Sequence, residues 1–243
     1  MPSGRDTLYQ TLADPGLFTF NEEVVGVFPD MIKRSVPGYS TIIAMSGLLA
    51  GKHARDNTRI YDLGCSLGAS LLAAAQHVQG RPVQLVGIDN SPAMIEGARQ
   101  NIAAARVSGQ EIDVIEGDIA TTPLSNASVV LMNFTLQFVP VAQRIEVLKR
   151  IHGALTAGDI LVLSEKIKMP TPAMDDYVVD LHHTFKRAQG YSELEIARKR
   201  QALENVMVTE DRETHIDRLQ QAGFQRADIW FQCFNFASFV AVA

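Results

Sequence analysis

Cysteine is nearly missing: the 243 residues include only Cys65 and Cys233. That count excludes a disulfide framework, and no Cys/His spacing suggests a metal site, so both thiols read as packed or loop residues. Positive charge is not in excess either. Lys and Arg number 22 against 27 Asp and Glu, a formal net charge of −5, which excludes a protein that coats nucleic acid through bulk charge and leaves room only for a local basic patch. No apolar run reaches the ~18 residues of a membrane span, and the leading MPSGRDTLYQ is too polar for a secretory signal. These absences predict a cytoplasmic chain without a metal, a membrane contact or direct nucleic-acid binding. Internal repeats and low-complexity linkers are missing too. What is present is core, because 47% apolar residues over this length suit a single α/β unit.

The most informative stretch is Arg59 to Ser70, RIYDLGCSLGAS, a strand-like run that breaks into a glycine-punctuated loop and opens onto an apolar helix. About one βαβ unit later, LVGIDN (Leu85 to Asn90) ends a second apolar run on Asp89. Glycines at 64 and 68 let the backbone turn tightly against a ligand, and an acid closing the second strand can accept hydrogen bonds from a ribose diol. The spacing is DxGxSxG, starting at Asp62, and not the GxGxxG of dinucleotide dehydrogenases. That pattern points toward users of S-adenosylmethionine.

From Thr58 onward strand-like and helix-like runs alternate: RIYDLG, a helix over Ala69 to His77, VQLVGID, a helix over SPAMIEGARQNIAAAR, then IDVIEGDI. Ser91 followed by Pro92 is a helix start. SVVLMN (Ser128 to Asn133), a helix over Val141 to Leu155 and DILVLS (Asp159 to Ser164) continue the alternation, and ADIWFQCFNFASFVAVA reads as an antiparallel hairpin turning near Asn235. Together these predict an α/β, seven-stranded Rossmann-like sheet of the class I S-adenosylmethionine-dependent methyltransferase type. We divide the one domain, 1–243, into a helical cap (1–56), a nucleotide-binding core (57–170), a helical lid (171–205) and a closing helix with the hairpin (206–243). Pro29 is expected at a helix start, Pro37-Gly38 as a turn before Tyr39, and Gly190 as the break between two lid helices above the strand ends.

Successive strand ends deliver polar groups to one crevice: Gly64, Cys65 and Ser66, then Asp89 and Asn90, then Asp118 and Ile119, then Asn133. The loop amides should face the methionine part of the ligand, Asp89 the ribose, Asp118 the adenine amino group and Asn133 the methionine amine or carboxylate. No NPPY tetrapeptide follows the fourth strand, where NFTLQF stands instead, so methylation of nucleic-acid base amines loses ground. His182 and His183 project about 100° apart on a helix and cannot easily chelate together, which favours a packing role. Arg187, Arg198, Lys199 and Arg200 form either a solvated helix face or an anion site. Tyr39 is either a core aromatic or a ring over a sulfonium.

The strings FPDMIKRSVPGYS (Phe28 to Ser40), YDLGCSLGA (Tyr61 to Ala69), IDNSPAMIE (Ile88 to Glu96), NFTLQF, GYSELEI (Gly190 to Ile196) and WFQCFNF (Trp230 to Phe236) closely resemble the carboxy-S-adenosyl-L-methionine synthase family. The likeness runs from Arg5 to nearly the last residue, and departures are confined to stretches such as 51–56, 76–82 and 167–173. The resemblance implies a homodimeric enzyme that combines S-adenosyl-L-methionine, as substrate, with prephenate to give carboxy-S-adenosyl-L-methionine, phenylpyruvate and water. Its product would pass to a separate tRNA carboxymethyltransferase that modifies wobble uridine (cmo5U34). It also implies ligand contacts from Tyr39, Gly64, Cys65, Ser66, Asp89, Asn90, Asp118, Ile119, Asn133 and Arg200, the last of these holding the new carboxylate, in its own subunit or across the dimer. Two other readings share the nucleotide site: an ordinary methyltransferase of a small molecule or RNA, and a non-catalytic subunit that binds an S-adenosyl ligand.

Overall fold

The computed structural model describes residues 4–11, 18–107, 109–204 and 206–243. Parts of the cap (1–3 and 12–17) and the last lid residue, 205, lie outside them. In chain order the elements are α1 (Leu8–Thr11), α2 (Glu22–Ser35), α3 (Tyr39–His53), β1 (Arg59–Leu63), α4 (Ala69–His77), β2 (Gln84–Asp89), α5 (Pro92–Ala105), β3 (Glu111–Glu116) and β4 (Ala127–Asn133). A short 3-10 turn, Leu136–Phe138, precedes α6 (Val141–Ala154) and β5 (Ile160–Lys168). Then come α7 (Pro172–Ala188), α8 (Glu193–Glu204), β6 (Glu210–Asp211), α9 (Arg212–Gln221), β7 (Arg226–Cys233) and β8 (Phe236–Val242).

The sheet runs β3-β2-β1-β4-β5-β8-β7. Its first five strands are parallel, and β8 inserts antiparallel between β5 and β7. Burial on both faces explains the apolar runs: Ile60 packs toward α3, α4 and α5, while Tyr61 and Leu63 pack toward α6 and α9. A third, smaller cluster, including Tyr9, Phe18, Met31 and Met94, joins the cap to the sheet's carboxyl end.

The structure departs from the expected elements at four places, the first being β3, which ends at Glu116 and not at Ile119 because its pairing with β2 stops at Asp89↔Glu116. An eighth strand, the two-residue β6, pairs with the end of β5 through Ile167↔Glu210 and Lys168↔Asp211. Too short for periodicity to reveal, it is held by Glu210, which takes Arg144 and Arg218 together. Strand β5 continues to Lys168, past the expected end at Ser164, because β8 pairs with it as far as Lys166↔Phe236. Pro29 lies inside α2 and does not start it. The start is fixed at Asn21, whose side chain accepts from the Val24 N–H, and burial of Val24 and Met31 carries the helix through the proline.

Other starts match the sequence. Ser91 caps α5 with Pro92 behind it, Thr171 caps α7 with Pro172 behind it, and Gly190, at φ +86°, separates α7 from α8. Gly38 turns the chain into α3 at φ +78°, where an added Cβ would come within 2.5 Å of the Phe231 ring. Among the described residues no helix is long and apolar enough to cross a membrane.

Candidate active site

The carboxyl ends of the parallel strands, the cap and the lid enclose a cavity of about 650 Å³. Its floor is the loop after β1. Gly64 sits at φ +74°, and any Cβ there would collide with Thr135 from the loop after β4. Gly64 and Cys65 both donate their N–H to the Ile88 carbonyl, at 2.8 and 3.0 Å. Ser66, itself in the left-handed region at φ +47°, donates its N–H to Asp89 Oδ2 at 2.9 Å. The other Asp89 oxygen takes the Ser91 N–H at 2.9 Å. Asp89 therefore ties the loop to α5 as well as facing the cavity. Burial lifts its carboxyl above the ordinary range, against the pull of the backbone donors.

Asp62 lies beneath this loop, buried, with one oxygen lacking a hydrogen-bond partner among the described residues. Burial and the neighbouring Asp89 raise it to about 7. Tyr39, the first residue of α3, places its ring 6.4 Å from that of Phe134 and lines the cavity, and burial with the Asp62 charge raises its phenol. Asn90, Asp118 and Ile119 also line the cavity, and one oxygen of Asp118 already accepts the Ala120 N–H at 2.8 Å. Asn133 lines it too, yet its side chain is engaged by the protein. It donates to Ser70 Oγ at 3.1 Å and accepts from Ser164 Oγ at 2.6 Å, clamping β4 to α4 and β5. Phe134 follows at φ +59°, a costly conformation for an aromatic residue and one that concentrates at functional sites.

The opposite wall is basic and aromatic. Lys166 from β5, Lys186 and His182 from α7, and Lys199 from α8 all line the cavity. His182 has Nε2 2.8 Å from the Ser35 carbonyl, so a neutral ring donates there, and burial with Lys186 and Lys166 lowers it to about 3. Lys199 donates to Ser35 Oγ at 2.9 Å and pairs with the buried Asp6 carboxylate at 3.5 Å. Asp6 also accepts from Tyr191 Oη at 2.5 Å, and the Arg34 guanidinium stacks 4.0 Å from the Tyr191 ring centroid. These contacts fasten residues 4–11, α2 and α8 together over the cavity.

The cavity gathers nine of the ten sequence-predicted site residues: Tyr39, Gly64, Cys65, Ser66, Asp89, Asn90, Asp118, Ile119 and Asn133. Arg200 is elsewhere. It is exposed on the far face of α8, beside His183 and Glu193, lining a separate depression of about 310 Å³. Neighbouring helical positions diverge, so it is Lys199 of the basic cluster that turns inward within one chain. Lys166 and Lys186 escaped the sequence reading. The signal for Lys186 was present, since Val178, His182 and Lys186 recur every four residues and are all buried. Lys166 carried no such mark once β5 was ended at Ser164.

A methyltransferase-domain family profile matches residues 60–158, the segment that holds the loop and the strand ends. The chain is 53% identical over 224 residues to the carboxy-S-adenosyl-L-methionine synthase of Geobacter sp. (strain M21), covering 92% of each. It is 50% identical over 241 residues to the protein of the same name from Klebsiella pneumoniae subsp. pneumoniae, covering 99% of this chain and 97% of that one. The magnesium protoporphyrin IX methyltransferase of Synechocystis PCC 6803, solved with bound SAH, superposes with a TM-score of 0.60 at 16% identity, over 87% of this chain and 86% of that one. The chain spans only 55% of the methyltransferase SibL and 66% of a chain from Nostoc punctiforme PCC 73102, so these distant likenesses bear on the shared fold alone.

Proposed function

The chain belongs to the carboxy-S-adenosyl-L-methionine synthase family and is a transferase that makes carboxy-S-adenosyl-L-methionine from S-adenosyl-L-methionine; we propose that prephenate is its second substrate, leaving as phenylpyruvate and water. One observation carries this reading: the titratable side chains lining the cavity offer no strong base. A sulfonium methyl is a weak carbon acid, whereas His182 is held at about 3 and Lys186 at about 7, and the neighbouring Asp62 reaches only about 7. Prephenate supplies what the protein does not. Loss of carbon dioxide and the ring hydroxyl makes its ring aromatic, the departing hydroxide takes the methyl proton as water, and the resulting carbanion attacks the trapped carbon dioxide. The chain's part is to orient two substrates of opposite charge and keep out bulk water. The acidic floor and the basic wall suit that division.

On this reading the Gly64, Cys65 and Ser66 loop faces the methionine part, Asp89 and Asn90 the ribose, Asp118 and Ile119 the adenine, and Tyr39 the sulfonium. Asn133 holds the strand ends in register. Arg200 meets the new carboxylate only from a second copy of the chain, which is the role a homodimer would give it. Cap, core, lid and hairpin act as one catalytic unit in the cytoplasm, and the product goes to a separate tRNA carboxymethyltransferase. The test is to incubate the purified protein with S-adenosyl-L-methionine and prephenate and weigh the nucleoside product. A carboxylated product with phenylpyruvate in equal amount is expected. Release of S-adenosylhomocysteine would mark an ordinary methyltransferase, and tight binding without turnover a non-catalytic subunit.

A further inference from the structure

Lys186 is buried and Lys166 mostly so, and neither ammonium has a carboxylate within ion-pair distance or a hydrogen-bond acceptor among the described residues. Buried cations without partners are costly, and a fold keeps them only where something else compensates. Lys199 is different, since Asp6 already neutralises it. The two lysines reach the cavity from different elements, the end of β5 and the inner face of α7; burial, then Lys199 and Lys166, lower the protonation of Lys186, and burial, then Arg200, lower that of Lys166. Both point into the cavity, so the missing partner is a molecule that enters it.

The shape of that molecule follows from the rings that line the same cavity. Tyr39, Phe134, Phe236 and His182 form a continuous wall of rings, with centroid separations of 6.4, 6.0 and 4.9 Å along the series. Phe134 is held there in a strained backbone conformation, and His182 is fixed by the Ser35 carbonyl, so the wall is rigid. Rings packed edge to face accept a flat or cyclic apolar body, and two adjacent ammonium groups take two carboxylates. We propose that Lys166 and Lys186 form the subsite for a cyclic dicarboxylate whose ring rests on Phe134 and Phe236, and that these lysines set specificity for the second substrate. The proposal deepens the function argued above and rests on its use of a dianionic second substrate.

The test separates binding from turnover. With S-adenosyl-L-methionine bound, the wild-type protein and the variants Lys166→Gln, Lys186→Gln and Lys186→Arg are titrated by calorimetry with cyclohexane dicarboxylate and cyclohexane monocarboxylate. The exposed Lys149→Gln serves as a charge control. The wild type should prefer the dicarboxylate, and each Gln variant should lose about ten- to a hundredfold of that affinity. Affinity for S-adenosyl-L-methionine should change less than about twofold, which shows that the variants are folded. Lys186→Arg should recover part of the loss. With prephenate as the reactant, KM should rise in parallel. No preference for the dicarboxylate in the wild type, or its survival in both Gln variants, would overturn the subsite. A preference that behaves as described in a protein that makes no carboxylated product from prephenate would leave the subsite standing and remove the proposed reaction.

Discussion

Asp89 shows how a ligand residue can also be a structural one. Its two oxygens accept the Ser66 and Ser91 N–H groups, so the carboxylate that faces the cavity also fixes the loop on which the site depends. Asp89→Ala should therefore weaken binding of S-adenosyl-L-methionine about ten- to a hundredfold, and lower stability by about 1–3 kcal/mol as two backbone donors lose their partner. Calorimetry and thermal melting measure the two effects, and unchanged affinity would take Asp89 out of the site. At this scale the sequence was legible where chemistry is written into the backbone: glycines in a loop and acids closing strands need no knowledge of distant neighbours. It was not legible where a side chain's meaning depends on what crosses above it. Lys199 and Arg200 are adjacent and chemically alike, and only the packing of α8 on Asp6 and Ser35 decides which one turns inward.

Among the elements, α2 carries a conflict between local preference and tertiary packing. Pro29 removes the N–H that would bond the Val25 carbonyl, yet the helix runs from Glu22 to Ser35, capped by Asn21 and stacked over the cavity. Pro29→Ala should restore that bond and stabilise the ligand-free protein by about 1–3 kcal/mol, as judged by denaturant unfolding. A loss of stability would show that ring packing against the cap outweighs the missing hydrogen bond. Strands β1, β2 and β4 were readable to within a residue or two because burial on both faces forces apolar runs, whereas the edge strand β3, largely exposed, was read three residues too long. The extension of β5 and the whole of β6 were not readable, since one depends on pairing with β8 and the other on two arginines meeting at Glu210. The extension matters for function because it carries Lys166 to the cavity.

Over the whole molecule, unfavourable buried charge sits on both sides of the site, at Lys186 in the cavity wall and at Asp62 buried on β1. Lys186 falls from 10.5 to about 7, chiefly through burial and then through Lys199 and Lys166. A depressed lysine binds fewer protons folded than unfolded between those values, so its unfavourable contribution is full below pH 7 and relieved as pH rises toward 10.5. Asp62 runs the other way. Its pKa rises from 3.8 to about 7, so the folded chain holds the extra proton in that interval and stability falls as pH climbs through it. Lys186→Met should therefore raise the stability of the ligand-free protein by about 1–3 kcal/mol below pH 7, with the gain shrinking toward pH 10.5. The stabilised variant should bind the dicarboxylate poorly. Melting curves across that pH range check the sign, and a gain independent of pH would mean that Lys186 acts through packing and not through charge.

The most direct measurement follows the carbon itself. With the ring carboxyl of prephenate isotopically labelled and unlabelled bicarbonate in the buffer, the nucleoside product should carry the label in its new carboxylate, because on the proposed reaction the carbanion captures the carbon dioxide released beside it before it exchanges with solvent. A product carboxylated from bicarbonate, or a label lost wholly to solvent, would contradict the transfer of a trapped carbon dioxide within this site.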